Sequence, residues 1–156
     1  MGETARKRIL ASRGSVEGII GEERPVYGVT TGFGALATTH IPTTERRELQ
    51  HSLLRSHVAG AGPFVEPEVV RAMMVIRAKT LAMGFSGVSV ELVEALIALL
   101  NARVVPAVPE HGSLGASGDL APLAHVGLCL TGEGWVLEGD EIFPARRALA
   151  RAHLKE

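Results

Sequence analysis

The segment HGSLGASGDLAPLAH, from His111 to His125, combines small residues, an acid and an apolar run. One interpretation is a glycine-rich connection whose Asp119 caps a following helix, since aspartate is a favoured N-cap residue. A second is a phosphate-binding loop, because backbone N–H groups at a helix N-terminus attract anions. That interpretation is disfavoured, since no lysine follows the glycines and Asp119 would repel a phosphate.

The triplet Ala116-Ser117-Gly118 permits a third kind of chemistry, in which the chain modifies itself. The amide nitrogen of Gly118 can attack the carbonyl carbon of Ala116 and close a five-membered ring, because glycine adopts bends that other residues resist. Loss of two water molecules, one of them carrying the Ser117 hydroxyl, leaves an exocyclic methylene conjugated to the ring. This group is a strong electrophile, which none of the twenty side chains supplies. The pattern alone leaves these alternatives open.

The single tyrosine of the chain lies in another glycine-rich segment, YGVTTGFG, from Tyr27 to Gly34. A tyrosine in such a loop can simply pack against its neighbours. A phenol can also act as a general base, provided that its pKa falls well below the reference value of about 10. Tyr27 is therefore a candidate base.

His57, in the segment SHVAG from Ser56 to Gly60, is the third candidate. Because it shares a helical face with Leu49 and Leu53, it can be an ordinary core histidine or a substrate contact. The remaining histidines have no metal-ligand spacing that stands out, so we expect no metal site; they are His40, His51, His111, His125 and His153.

The composition is that of an ordinary globular domain. Of the 156 residues, 46% are hydrophobic and 21% charged, enough for one apolar core. The net charge of −1 without a basic block argues against nucleic-acid and membrane partners. A single cysteine, Cys129, excludes an internal disulfide and suits a reducing compartment, so we expect a cytoplasmic protein with this residue in the core.

Apolar periodicity predicts a mainly helical chain in which helices flank the candidate loops. We expect helices over residues 3–20, from Thr43 or Thr44 to before Gly60, and over 67–83, 89–101, 119–131 and from Pro144 to the C-terminus. A small hairpin is expected around Gly139-Asp140. The stripe expected to face the core on the helix over 67–83 consists of Val69, Met73, Ile76 and Met83.

The residues GASGDLAPLAH, from Gly115 to His125, resemble the signature of the aromatic amino acid lyases. That family includes histidine, phenylalanine and tyrosine ammonia-lyases and related aminomutases. The segment from Tyr27 to Gly34 is similar to the family's Tyr-Gly-x-x-Thr-Gly-Phe-Gly segment. The two motifs stand in the family's order, and the similarity runs from about Arg24 to Gly134.

The resemblance implies that Ala116, Ser117 and Gly118 form 4-methylideneimidazol-5-one (MIO), a cofactor made from the chain itself without a metal. Asp119 would assist the cyclisation by holding the loop or accepting a proton. Tyr27 would remove the substrate's β-proton. We therefore place these five residues in the catalytic site.

The resemblance also favours a substrate. Histidine ammonia-lyases carry Ser-His-Ala-Ala-Gly where this chain has the segment from Ser56 to Gly60, so His57 would lie near the substrate imidazole, although Val58 replaces an alanine. The implied reaction is elimination of ammonia from L-histidine to give trans-urocanate. Alternatives are a phenylalanine or tyrosine ammonia-lyase, an aminomutase, or a catalytically inactive oligomerising fragment of such an enzyme.

The implied architecture is the mainly α, L-aspartase-like ammonia-lyase fold, with a glycine-rich active-site loop and a small hairpin. Residues 1–156 would form a single N-terminal portion with catalytic loops at 25–34 and 111–119. The family's C-terminal helical bundle, which carries further active-site residues, is absent from this sequence. Family members are tetramers, so a homo-oligomer is expected.

Overall fold

The computed structural model describes residues 1–115, 118–139 and 141–155. Its elements in chain order are α1 (Glu3–Gly21), a 3-10 turn (Gly34–Leu36), α2 (Arg46–His57), β1 (Ala61–Phe64), α3 (Pro67–Ala82), α4 (Val90–Ala102), β2 (Val105–Pro106), β3 (Pro109–His111), α5 (Leu120–Leu130), β4 (Trp135–Glu138), β5 (Glu141–Pro144) and α6 (Ala145–Arg151). The mainly helical prediction is confirmed.

The strands form two small antiparallel sheets. β4 and β5 are the predicted hairpin, with Glu138 opposite Glu141, and β2 pairs with the other edge of β4. Gly139 has φ +62°, a conformation that two-residue hairpin turns require and that glycine tolerates. In the second sheet, which the sequence did not predict, β1 pairs with β3 and Ala61 lies opposite His111.

The chain divides into two compact units, Met1–Leu53 with Thr80–Val90, and Leu54–Lys79 with Glu91–Glu156. In the first unit, residues 84–87 lie against α1. The Gly87 N–H donates to the Ser12 hydroxyl at 2.9 Å, and a Cβ on Gly84 would lie 2.7 Å from the backbone carbonyl carbon of Arg8. Ile9 of α1 is buried.

The second unit has its core where α5 contacts α6 and the three-stranded sheet. The buried side chains come from small and branched residues, as the low aromatic content requires; they are Val93, Leu96, Leu99, Ala124, Leu128, Cys129, Val136, Ala145, Ala148 and Leu149. Burial raises the pKa of the Cys129 thiol to about 12, so this residue is an inert core side chain.

The predicted core stripe of α3 is wrong. Ile76 is 65% exposed and Val69 54%, whereas Val70 and Met74 are each 1% exposed. Helix α3 is apolar around most of its circumference, so the periodicity did not distinguish the face that this chain buries. Two helix ends also differ: α2 begins at Arg46 rather than at Thr43 or Thr44, and α6 ends at Arg151 instead of continuing to the C-terminus.

Candidate active site

Buried threonine hydroxyls fix the loop that carries Tyr27, in the first unit. Thr30 is fully buried; its Oγ1 donates to the Arg24 carbonyl at 2.5 Å and accepts from the Val26 N–H at 2.8 Å. Thr31 is also buried and forms a β-bridge with His40. Because buried hydroxyls must be hydrogen-bonded, these threonines hold the loop in one conformation.

Tyr27 itself is at the surface of this loop, with 61% of its area exposed. Its ring meets Phe33 edge to face, with centroids 5.6 Å apart and planes at 81°. The Gly34 N–H donates to the phenol oxygen at 3.3 Å. The two aromatic residues of the motif therefore orient one another, and most of the Tyr27 surface remains accessible to solvent.

The packing of Tyr27 against Phe33 requires a glycine at position 28. We expect a substitution there to destabilise the loop. The φ of Gly28 is +70°, and a Cβ would lie 2.6 Å from Phe33 Cε1. We expect Gly28→Ala to lower the free energy of unfolding in urea by about 1–3 kcal/mol. The matched control is Gly18→Ala in α1, where no atom lies within 4 Å of the added Cβ. That change is expected to be stabilising by up to about 1 kcal/mol, and equal effects of the two substitutions would refute the argument.

In the second unit, the β1–β3 ladder places the segment after His57 beside the start of the 111–119 loop. Gly60 and Gly112 flank the paired residues Ala61 and His111, and a Cβ on Gly112 would lie 3.2 Å from the Gly60 Cα. The same added Cβ would lie 3.3 Å from the Ala121 Cβ in α5. The two motifs predicted from sequence thus meet through glycines that approach closely.

The 111–119 loop contains the predicted cyclising triplet. Ala116 and Ser117 lie outside the described residues. Gly115 and Gly118 have φ values of +65° and +100°, which side-chain-bearing residues rarely adopt. At the loop's end, Asp119 occupies the N-cap position of α5 but makes no side-chain capping hydrogen bond.

The Asp119 carboxylate instead accepts a hydrogen bond from the Ser113 hydroxyl. The capping interaction expected from the sequence is therefore wrong, although the helix does begin directly after Asp119. Sequence reasoning also missed Ser113. No periodicity identifies it, because its partner lies across a loop of irregular backbone.

His57 is the last residue of α2 and is half-buried. Its Nδ1 lies 3.0 Å from the Ser56 hydroxyl, so the adjacent serine fixes the orientation of the ring. Tyr27 belongs to the first unit, whereas His57, Gly118 and Asp119 belong to the second.

His125, in the second turn of α5, has a buried ring nitrogen close to the loop. Its Nε2 is buried without a hydrogen-bond partner in the part of the chain that the structure describes. A Cβ on Gly60 would lie 3.0 Å from this nitrogen and equally close to the Pro109 ring. Burial lowers the pKa of His125 below its ordinary value of 6.5. The His125 imidazole thus lies close to Gly60.

This burial predicts a loss of stability on acidification. Because the unfolded chain binds the proton more tightly than the folded chain, the free energy of unfolding falls as the pH decreases below about 6.5. We expect His125→Gln to lose less stability than the unmodified chain between about pH 7 and about pH 5. The exposed His40 provides the control, His40→Gln. Equal pH dependence in the unmodified chain and His125→Gln would contradict this reasoning.

The described parts of the chain contain no cluster of three or more potential metal-binding side chains. An apolar groove of about 230 Å³ lies in the second unit, lined by Leu99, Leu130 and Leu149 among others. None of the predicted site residues that the structure describes lines it. Among the described residues, no helix is long and apolar enough to cross a membrane.

Residues 1–156 match the family described as aromatic amino acid lyase. A histidine ammonia-lyase from Desulfotalea psychrophila is 52% identical over 152 residues, covering 97% of this chain and 30% of that protein. The chain thus spans about 30% of the length of the curated relatives that it matches.

Solved structures of different lyases and aminomutases share this fold. Tyrosine aminomutase from Streptomyces globisporus is similar with a TM-score of 0.92 and 39% identity, covering 99% of this chain and 29% of that one. Histidine ammonia-lyase from Trypanosoma cruzi has a TM-score of 0.89 and 35% identity, with the same coverage. The predicted fold class is confirmed, and the fold is common to enzymes of more than one activity.

Proposed function

The chain belongs to the aromatic amino acid lyase family, and on this basis we propose that it forms part of a histidine ammonia-lyase, which converts L-histidine to trans-urocanate and ammonia. The single observation that carries the proposal is the left-handed backbone of two described glycines, Gly115 directly before the predicted ring-forming triplet and Gly118 as its last residue. The relatives at about 50% identity that are named histidine ammonia-lyases support the choice of reaction.

The described part of the loop fits an MIO group formed from Ala116, Ser117 and Gly118. Among the described residues, nothing lies within 4 Å of an added Cβ at Gly118, and its φ of +100° is a conformation that residues with side chains rarely adopt, so this position suits glycine. When formed, the methylene of this group supplies an electrophile that activates the substrate's amino group or ring.

Tyr27 is proposed as the base that removes the β-proton. The Tyr27 side chain is exposed at the surface of its loop, and the edge-to-face contact with Phe33 orients its ring. The Gly34 N–H donates to the phenol oxygen and helps to hold it in place.

His57 is proposed to contact the substrate's imidazole. Its ring is held by Ser56, and the Gly60–Gly112 contact places its segment beside the loop. A hydrogen bond between His57 and the substrate would favour histidine over phenylalanine, because the apolar phenyl ring offers no hydrogen-bonding group.

The test is an assay of the full chain with L-histidine, L-phenylalanine and L-tyrosine in parallel. The expected result is the strong ultraviolet absorbance of urocanate with histidine, and much weaker product formation with the other two amino acids. Product formation from phenylalanine or tyrosine alone would replace the histidine assignment. No product from any of the three would contradict the proposed activity.

We also propose that the chain self-associates. The exposed apolar residues of α3, namely Val69, Val75 and Ile76, support it because soluble proteins usually cover apolar surface of this kind. Light scattering should therefore give a mass above that of one chain, and a clean monomer would contradict this part.

A further inference from the structure

The last turn of α2 ends at His57 and belongs to the same compact unit as α5. In this turn, the Leu54 side chain lies over Gly127 of α5, where an added Cβ would be 2.8 Å from Leu54 Cδ2. The next residue, Arg55, forms two hydrogen bonds with the Glu133 carboxylate: its Nε donates to Oε2 and its Nη2 to Oε1, each at 2.9 Å. Two side chains of this turn therefore attach it to α5 and to the residues that follow α5.

The backbone of Glu133 is itself held by the way in which α5 ends. The Glu133 N–H donates to the Leu128 carbonyl at 2.9 Å, and the Gly132 N–H donates to the Cys129 carbonyl at 3.1 Å. With Gly132 at φ +73°, these two bonds form a Schellman motif, which closes the C-terminal turn of a helix. The carboxylate that Arg55 meets thus projects from a hydrogen-bonded turn.

The paired geometry distinguishes this contact from most surface ion pairs. The side chain of Arg55 is 52% exposed and that of Glu133 32%, and ion pairs at such positions usually contribute little to stability. Here both carboxylate oxygens accept hydrogen bonds from one guanidinium, which fixes the direction of the contact as well as its length. The contact is therefore suited to hold the end of α2 in one orientation.

We propose that Arg55 is a positioning residue for His57, acting through its paired contact with Glu133; the consequence for the substrate rests on the proposed function. Helix ends fray, and His57 is the terminal residue of α2. Arg55 precedes it by two residues, and Gly60, three residues after it, lies against Gly112. The segment that carries the imidazole is thus attached on both sides. Loss of the guanidinium frees one side and lets the ring adopt more orientations.

The first test reads the His57 ring itself. The readout is its signal in NMR spectra of protein isotope-labelled at histidine, assigned by its loss in His57→Gln. We expect Arg55→Gln and Glu133→Gln to shift this signal to the same new position, and the double substitution to shift it no further, because either change removes the whole contact. Arg55→Lys keeps the charge without the paired geometry, so it should restore the original position only in part.

The matched control is Arg151→Gln, which removes an ion pair with Glu138 of similar exposure in the same compact unit. This pair lies at α6 and β4 and has no contact with the last turn of α2 among the described hydrogen bonds. The His57 signal should therefore stay at its original position in this variant. An unshifted signal in Arg55→Gln would overturn the proposal, and so would an equal shift in Arg151→Gln.

The second test measures the consequence for the substrate, in an assay of the full chain with L-histidine. We expect Arg55→Gln to raise KM roughly fivefold and to leave kcat within about twofold, because a contact that binds substrate and transition state alike changes KM alone. A merely structural defect would instead lower the amount of active protein, and with it the apparent kcat, at unchanged KM. That second pattern would refute the effect on substrate binding. No activity in the unmodified chain would refute the proposed function, and the ring signal would still decide the role of Arg55.

Discussion

Ser117→Ala is expected to reduce the production of urocanate from L-histidine to the background of the assay. The substitution removes the hydroxyl that becomes the methylene, so no electrophile forms from positions 116–118. None of the remaining side chains supplies an equivalent group, because proteins carry nucleophiles, acids and bases instead. The loss should therefore appear in kcat and persist at saturating histidine.

The matched control for this substitution is Ser52→Ala, which removes an exposed hydroxyl from α2. It is expected to retain full activity and the mass deficit of about 36 Da. Both variants should unfold in urea at concentrations close to that of the unmodified chain, because Ser52 is exposed and the Ser117 substitution removes few atoms. Substantial activity in Ser117→Ala would contradict a role for the ring in catalysis.

The second large effect is expected for Tyr27→Phe. The substitution preserves the edge-to-face contact with Phe33 and removes only the phenol oxygen and its hydrogen bond from Gly34. If this oxygen removes the β-proton, kcat should fall by about 10²- to 10⁴-fold, the usual contribution of a positioned general base. KM should change little, since the aromatic ring remains.

Two features distinguish this result from a folding defect. The mass deficit should persist in Tyr27→Phe, because Tyr27 takes no part in ring closure. Phe33→Leu, which removes the neighbouring ring but keeps the phenol, should retain more activity than Tyr27→Phe. A Tyr27→Phe variant within about threefold of the unmodified kcat would contradict the assignment of the base.

Local signals predicted several elements correctly. The Gly139-Asp140 pair between two β-rich segments predicted the hairpin, because such pairs favour tight turns regardless of their surroundings; Gly139 has the positive φ that this turn requires, and Asp140 lies outside the described residues. Pro144 directly precedes α6 and Asp119 directly precedes α5, as expected for residue types that favour helix starts. These signals depend on the backbone of a few adjacent residues, so the sequence alone determines them.

Long-range features could not be predicted in the same way. The buried face of α3 is lined by Val70 and Met74, whereas the expected Val69 and Ile76 face solvent. Because both faces are apolar, the choice depends on which elements pack against the helix. The β1–β3 pairing likewise depends on Ala61 meeting His111, fifty residues later in the chain.

Some residues of the candidate site could be predicted from local sequence, and others depend on contacts between distant parts of the chain. Tyr27, His57 and the Ala-Ser-Gly triplet were found from motifs, which record residue types in a fixed order. Ser113 and the buried Nε2 of His125 emerged only from the folded chain, since each is defined by a neighbour distant in sequence. The Asp119 carboxylate shows the difference most clearly, because its local context predicts a cap and its tertiary partner is a serine.

The central claim is that the chain converts its own Ala116-Ser117-Gly118 triplet into an electrophile. The most direct measurement is the mass of the proteolytic peptide that contains these residues, taken from the full chain after purification. A peptide lighter than its sequence by about 36 Da, with every other peptide at its sequence mass, is the predicted result. A peptide at its full sequence mass would contradict the claim.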